Sequence, residues 1–419
     1  MRRWILGRSS VLAGFRSQRI RCFSAVVNDV ETVSVRNGSS GVVTIDLHNI
    51  AKVSSPVPLL IYLPPYSTAF ADKPARLPSF LERKPTAVIN YRWVGFGPFP
   101  APAPLPQPSE PDEQLEENDL SILSWPAAIH DTARAYEWIV ENLGPSTYTR
   151  RDIYVYGSYL GASLATSLAL TETHPHARMG IRGCVAYNGI YNWTMFLPDH
   201  SINQAPKQRG FMGLVDGILS EGRDPDFQQF KQHAEPLFGS AANLFDPFAS
   251  SCLFFHTPGL LVPPSFDKSA LPSETSISEE LDMLAEDAMN PSTPIKSPRK
   301  SPLVFPPRKS TLKIPEVLLL HSTPPPPPPS FQRRVQRRRK ERPGNNFKAQ
   351  AEELAGLMRR SIDKVELKER RKWDEDHDRW DDEADRRIQV EDVGLYRGKY
   401  ELGDKGEELA AAWLRDHMG

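Results

Sequence analysis

The chain has 419 residues, 40 of them proline and 25 glycine, with 39% hydrophobic residues. That proline share is nearly double the ordinary ~5%, too much for one compact domain, while the apolar content excludes a wholly disordered chain. Lys+Arg 51 against Asp+Glu 52 give a net charge of -1, which excludes a globally basic nucleic-acid binder and leaves only local patches.

Residues 1–28 carry six arginines and no acid; Asp29 is the first. With frequent serine and the apolar set Trp4, Ile5, Leu6, Val11, Leu12 and Phe15, this reads as a mitochondrial transit peptide. Arg21-Cys22-Phe23-Ser24 resembles a matrix-protease cleavage pattern, so the expected location is mitochondrial, in the matrix. Removal of the six arginines leaves an acidic mature chain. No run approaches the ~18 apolar residues of a membrane span, so no transmembrane segment is expected. Cys22, Cys184 and Cys252 are too widely spaced for a disulfide framework or a zinc cluster.

Residues 31–36 and 42–48 alternate apolar and polar across Asn37–Gly41, predicting an antiparallel hairpin. The continuous apolar runs 58–63 and 86–91 predict strands buried on both faces. Seven prolines make 97–111 a loop. Trp125–Leu143 has helical spacing, Asp152–Tyr156 reads as a buried strand, Leu160–Leu170 as a small-residue helix and Gly183–Tyr187 as another strand. The pattern is then lost over 191–312, expected to be a cap insert followed by a Ser/Pro-rich disordered linker. It returns at Ile314–His321, is broken by a Pro/Arg-rich insert at 322–343, and resumes with Lys364–Leu367 as the expected last strand and a final helix at 405–417. The domain therefore splits into 29–190 and 313–419. Strands alternating with helices imply an α/β fold with a mostly parallel sheet, which carries function at the carboxyl ends of its strands.

At one such end the sequence reads Gly157-Ser158-Tyr159-Leu160-Gly161, between a strand and a helix. This is the context of a G-x-S-x-G nucleophile elbow, whose glycines let strand and helix approach closely. With the hairpin, the Val88–Arg92 strand end and the helix 126–138, it resembles the α/β-hydrolase superfamily, most closely the hormone-sensitive-lipase-like esterases. The resemblance implies a catalytic serine, an acid and a histidine, and each position departs from it. Tyr159 stands where the nucleophile belongs, with Ser158 the alternative nucleophile in the next-door position. The oxyanion loop reads Pro64-Pro65-Tyr66-Ser67 in place of a glycine-rich motif, leaving Tyr66 or Ser67 with the Leu160 amide as donors. No carboxylate follows His321 until Glu341. His377 could fall where the histidine belongs, but lies in the acidic segment Trp373–Asp385.

These departures together favour a degenerate hydrolase that binds a small acyl-type ligand or a protein partner. Two readings compete with it. One is an active carboxylic-ester hydrolase with an unusual nucleophile. The other is a structural protein using the basic run Arg333–Arg342 on RNA. His174 and His176 lack a third ligand, so no metal is expected. Without a G-x-G-x-x-G or Walker loop, no nucleotide cofactor is expected either. Pro324–Pro329 predicts a polyproline II spacer, and Tyr187, Tyr191, Trp193 and Phe196 are candidates to line a pocket or to pack a cap.

Overall fold

The structure, a computed structural model, describes residues 30–38, 41–50, 57–69, 71, 74–97, 124–145, 148–197, 200, 202, 225–255, 305–307, 309–323, 344–370, 382–395 and 400–418. Residues 1–28, read above as a transit peptide, the basic run Arg333–Arg342, the polyproline tract and His377 lie outside them.

Eight strands form one sheet in the order β1-β2-β4-β3-β5-β6-β7-β8. The hairpin is β1 (Val30–Arg36) and β2 (Val42–His48); β2 is antiparallel to both its neighbours. The others run parallel: β3 (Leu59–Leu63), β4 (Thr86–Asn90), β5 (Arg151–Ser158), β6 (Met179–Tyr187), β7 (Glu316–Thr323) and β8 (Ile388–Leu395). Every residue of β3 and β4 is buried, as continuous apolar runs require of strands covered on both faces. By contrast β1 is largely exposed on one side, in keeping with its alternating sequence.

Helices α1 (Ala127–Asn142) and α2 (Leu160–Glu172) pack on each other, α2 lying over β3, β5 and β6. A further helix, α3 (Pro225–Phe238), contributes Phe227, Phe230, Leu237 and Phe238 to the core. Helix α4 (Phe347–Ser361) covers β7 and β8, and α5 (Asp404–Met418) packs on β7, β8 and the turn Ser79–Leu81. The hairpin is tied down by a buried ion pair: Asp131 of α1 accepts from the Arg92 backbone amide, Nε and Nη2 at 3.0, 2.8 and 2.6 Å, and from Asn37 Nδ2 at 2.9 Å.

One expectation is overturned here. Lys364–Leu367 is helical: α4 continues through a π turn at Ile362–Glu366 into Leu367–Arg370. The apparent alternation of Val365 and Leu367 misleads, because the buried pair is Ile362 and Leu367. Glu366 in this turn receives the Ile314 amide at 2.9 Å and Arg387 at 2.7 Å. The last strand is instead β8, an edge strand whose acidic residues Glu391 and Asp392 hide its signal. Within 191–312, where a cap insert is expected, the described residues include α3 and the 3-10 turns Ala241–Phe245 and Ser251–Phe255.

Candidate functional site

The carboxyl ends of β3, β5, β6 and β7 meet at Tyr159. This residue sits between β5 and α2 with φ 52° and ψ -114°, a backbone region that a bulky residue enters only where its surroundings enforce it. Its amide donates to Tyr187 O at 2.8 Å. The flanking glycines act as expected. A Cβ on Gly157 would collide with the Gly161 carbonyl, and one on Gly161 with the carbonyls of Leu63 and Pro64. Strand, helix and oxyanion loop are thus in backbone contact, which is the elbow geometry the sequence implies.

Most of the groups that the resemblance assigns to catalysis make hydrogen bonds within the protein. The Leu160 amide, an oxyanion donor in the implied scheme, donates to Pro65 O at 3.2 Å. Ser67 is buried and donates its hydroxyl to Tyr91 O at 2.8 Å, while Tyr91 donates to Pro64 O at 2.7 Å. Both bonds pin the loop shut over the elbow. Tyr66 is partly buried, its ring 5.5 Å edge-on from Tyr400. Ser158 belongs to the same strand face as Tyr154 and Tyr156, where its hydroxyl hydrogen-bonds with Tyr62 and Tyr156. Ser163 lies in α2 and donates to Ile190 O at 2.7 Å.

Tyr159 itself has 0% exposure. Its ring stacks with Phe96 and Phe230 at 6.2 and 6.1 Å, and meets Tyr187, Phe347 and Tyr400 edge-on at 5.6, 5.8 and 5.2 Å. Phe96 and Phe230 in turn lie parallel 4.1 Å apart. These distances are those of favourable aromatic pairs. The Tyr159 hydroxyl accepts from Asn188 Nδ2 at 3.2 Å and is also bonded to the Asp226 carboxyl of α3. Burial, with the nearby Tyr187 and Asp226, holds its pKa well above the ordinary tyrosine value, so at neutral pH the group is a phenol rather than a phenolate nucleophile.

Asn188 follows β6 in a left-handed conformation, φ 49°, with its amide on Leu320 O at 3.0 Å. It donates to Ser322 Oγ at 3.0 Å and accepts the Ser322 amide at 2.9 Å. Ser322 thus stands at the end of β7, where a triad acid was expected, and an asparagine rather than an imidazole bridges it to Tyr159. The loop after β8 contributes Tyr400, φ 59°, whose hydroxyl donates to Gln229 of α3 at 2.9 Å. His377 precedes β8 in the chain and so does not occupy the position after the last strand. Three of the four non-glycine residues with positive φ, among the described residues, are Tyr159, Asn188 and Tyr400.

The sequence pattern located Tyr159, Gly157, Gly161 and the Pro64–Ser67 loop, and the structure brings these together. It missed Asn188, Asp226, Phe230, Phe347 and Tyr400. The missed helix had a legible signal, since Phe227, Phe230, Ala234, Leu237 and Phe238 keep helical spacing. Asn188 was visible only as the first residue past a strand end. Of the other residues singled out, Tyr187, Tyr191 and Trp193 are buried, Cys184 and Cys252 are buried thiols, and His174 is at 2.9 Å from Thr311 Oγ1. No group of three metal-ligating side chains, and no helix long and apolar enough to cross a membrane, occurs among the described residues.

No protein-family model and no curated protein matches the sequence. Among solved structures the chain is similar to a hyperthermophilic esterase from the archeon Pyrobaculum calidifontis, at 12% identity over 93% of this chain and 82% of that one, TM-score 0.44. It is also similar to a thermostable carboxylesterase cloned from a metagenomic library, at 12% identity over 95% and 92%, TM-score 0.45. A third is brefeldin A esterase, a bacterial homologue of human hormone sensitive lipase, at 12% identity over 95% and 79%, TM-score 0.44. Strand order, the antiparallel β2 and the strained turn between β5 and α2 give the chain an α/β-hydrolase fold.

Proposed function

We propose that this chain is a degenerate hydrolase, which keeps the scaffold and acts by binding rather than by triad chemistry. The observation that carries this reading is Tyr159. Its ring fills the place of the nucleophile and is enclosed by five other rings, while the adjacent Leu160 amide is bonded to Pro65 O. A transition state cannot be stabilised by a donor already satisfied by the protein itself. What it binds is a small acyl-type ligand or a protein partner. The competing nucleophile, Ser158, lies on the opposite side of the strand end among tyrosine hydroxyls, with no imidazole among its hydrogen-bond partners.

A fluorophosphonate probe tests the reading. Purified protein should remain unlabelled under conditions that label an active serine esterase; labelling abolished by Ser158→Ala would overturn it. We also propose mitochondrial import, supported by the arginine-rich, acid-free composition of residues 1–28. Deletion of residues 1–23 should leave the protein in the cytosol, and unchanged import would refute this.

A further inference from the structure

Helix α4 and its continuation end in a basic stretch. Of residues 359–372, seven are basic and three acidic, and the chain turns acidic at Asp374. Three of these cations, Arg360, Lys364 and Lys368, recur at intervals of four and are exposed. Among the described residues, none of the three has a hydrogen-bond or ion-pair partner. The neighbouring carboxylates are taken up elsewhere. Asp385 pairs with Arg359 at 2.9 Å, Glu366 with Arg387 at 2.7 Å, and Asp363 is engaged within the protein. A cation offsets the helix dipole only in the last turn, here Leu367–Arg370. That accounts for Lys368 and leaves Arg360 and Lys364 without a part in the helix itself.

The same end of α4 adjoins an aromatic patch. Ser361, between Arg360 and Lys364, donates its hydroxyl to the Phe305 carbonyl, and α4 packs on the turn Ser251–Phe255. The Phe305 ring lies 5.2 Å from Phe254, which in turn meets Phe248 edge-on at 5.4 Å. Phe254 and Phe305 are half-buried, and Phe248 is 37% exposed. Four residues beyond Phe305, Lys309 is exposed and likewise has no ion-pair partner among the described residues. Lys364 stands three residues after Ser361, a spacing that puts both on one side of a helix. Cations and rings therefore share one surface.

Unpaired cations beside partly exposed phenylalanine rings suit a surface that lies on an anionic bilayer. The charges meet lipid headgroups, and the rings enter the boundary between headgroups and acyl chains. Nucleic acid fits less well. Its phosphates would meet the same cations, but base stacking needs an open ring face, and Phe254 and Phe305 are half-buried against Phe248 and Phe255. We propose that the end of α4, with Arg360, Lys364, Lys368, Lys309 and Phe248, docks the protein on a membrane rich in anionic phospholipid. The contact is peripheral. It is independent of the closed site at Tyr159 and of the run Arg333–Arg342.

The test is sedimentation of the full chain with phosphatidylcholine vesicles, prepared with and without phosphatidylserine. Binding should require phosphatidylserine and weaken as KCl is raised. Each Lys or Arg at such a surface is worth about fivefold in partitioning, so Arg360→Gln/Lys364→Gln/Lys368→Gln should bind about 100-fold more weakly. Phe248→Ser should weaken binding severalfold at every salt concentration, because it removes an apolar contact and no charge. The three cations are exposed, so the triple variant should melt as the parent does. Absence of binding overturns the inference, as does equal binding to vesicles without phosphatidylserine. So does a triple variant that binds as the parent does, or binding lost only when the arginines of 333–342 are replaced by serine. Retention of a labelled oligouridylate by the same cations, without vesicle binding, assigns the patch to nucleic acid and also overturns it.

Discussion

Placing a serine at the elbow tests the proposal that Tyr159 and its surroundings, taken together, exclude triad chemistry. In Tyr159→Ser the backbone strain at φ 52° is common to both proteins and cancels. The missing ring does not cancel. Removing a fully buried aromatic side chain costs about 3–5 kcal/mol, and stranding the hydrogen-bonding groups of Asn188 and Asp226 costs about 1–3 kcal/mol more. With some relaxation of Phe230 and Phe347 into the gap, we expect a net loss of about 4 kcal/mol, a large part of the ~5–15 kcal/mol typical of a domain. Tyr159→Phe keeps the ring and should lose only about 1–3 kcal/mol. Urea unfolding of both variants measures these numbers, and turnover of a chromogenic butyrate ester measures the chemistry. The serine variant should remain inactive, because Pro65 O still holds the Leu160 amide and Asn188 stands where an imidazole would bridge. A serine variant as stable as the original protein, or one that hydrolyses the ester, would refute the reasoning.

Glycine substitutions separate close approach from mere flexibility: Gly161→Ala drives a Cβ into the carbonyls of Leu63 and Pro64 and should yield little folded protein. Gly356→Ala, inside α4 with nothing within 4 Å, should raise the melting temperature by the equivalent of up to ~1 kcal/mol. Asp131→Ala removes the carboxylate that accepts from the buried Arg92 at three nitrogens and should destabilise by about 3–5 kcal/mol in denaturant titration; a loss under ~1 kcal/mol would mean the pair does not anchor the hairpin. His321, buried in β7, has its pKa lowered by burial, against the opposing pull of the nearby Asp392. The unfolded chain then binds a proton more readily than the folded one. Stability should be full above the unfolded value of about 6.5 and decline as pH falls below it. His321→Gln should flatten that decline in melting curves taken between pH 7 and 5, and an unchanged profile would assign it elsewhere.

Local sequence determined a good deal of this molecule. Continuous apolar runs made β3 and β4 buried strands, alternation made the hairpin, and two glycines flanking Ser158-Tyr159-Leu160 required a tight strand-to-helix turn. These are short-range signals, set by backbone sterics and by which faces must leave water. The sequence also disclosed that a tyrosine stands at the elbow and prolines in the loop beneath it. What it left undecided depends on packing between residues far apart in the chain. Val365 and Leu367 alternate as a strand would, yet packing of Ile362 and Leu367 makes them helical. His377 looked well spaced for a catalytic histidine until β8 was found to follow it. Above all, a tyrosine at position 159 could have been a reagent or a filler. Phe96, Asp226, Phe230, Phe347 and Tyr400 come from four separate stretches, and only the tertiary fold closes them around its ring. The Leu160 amide meets Pro65 O for the same reason. Composition in turn gave a net charge of -1, but only packing decides that Asp385 holds Arg359 while Arg360, Lys364 and Lys368 stand exposed.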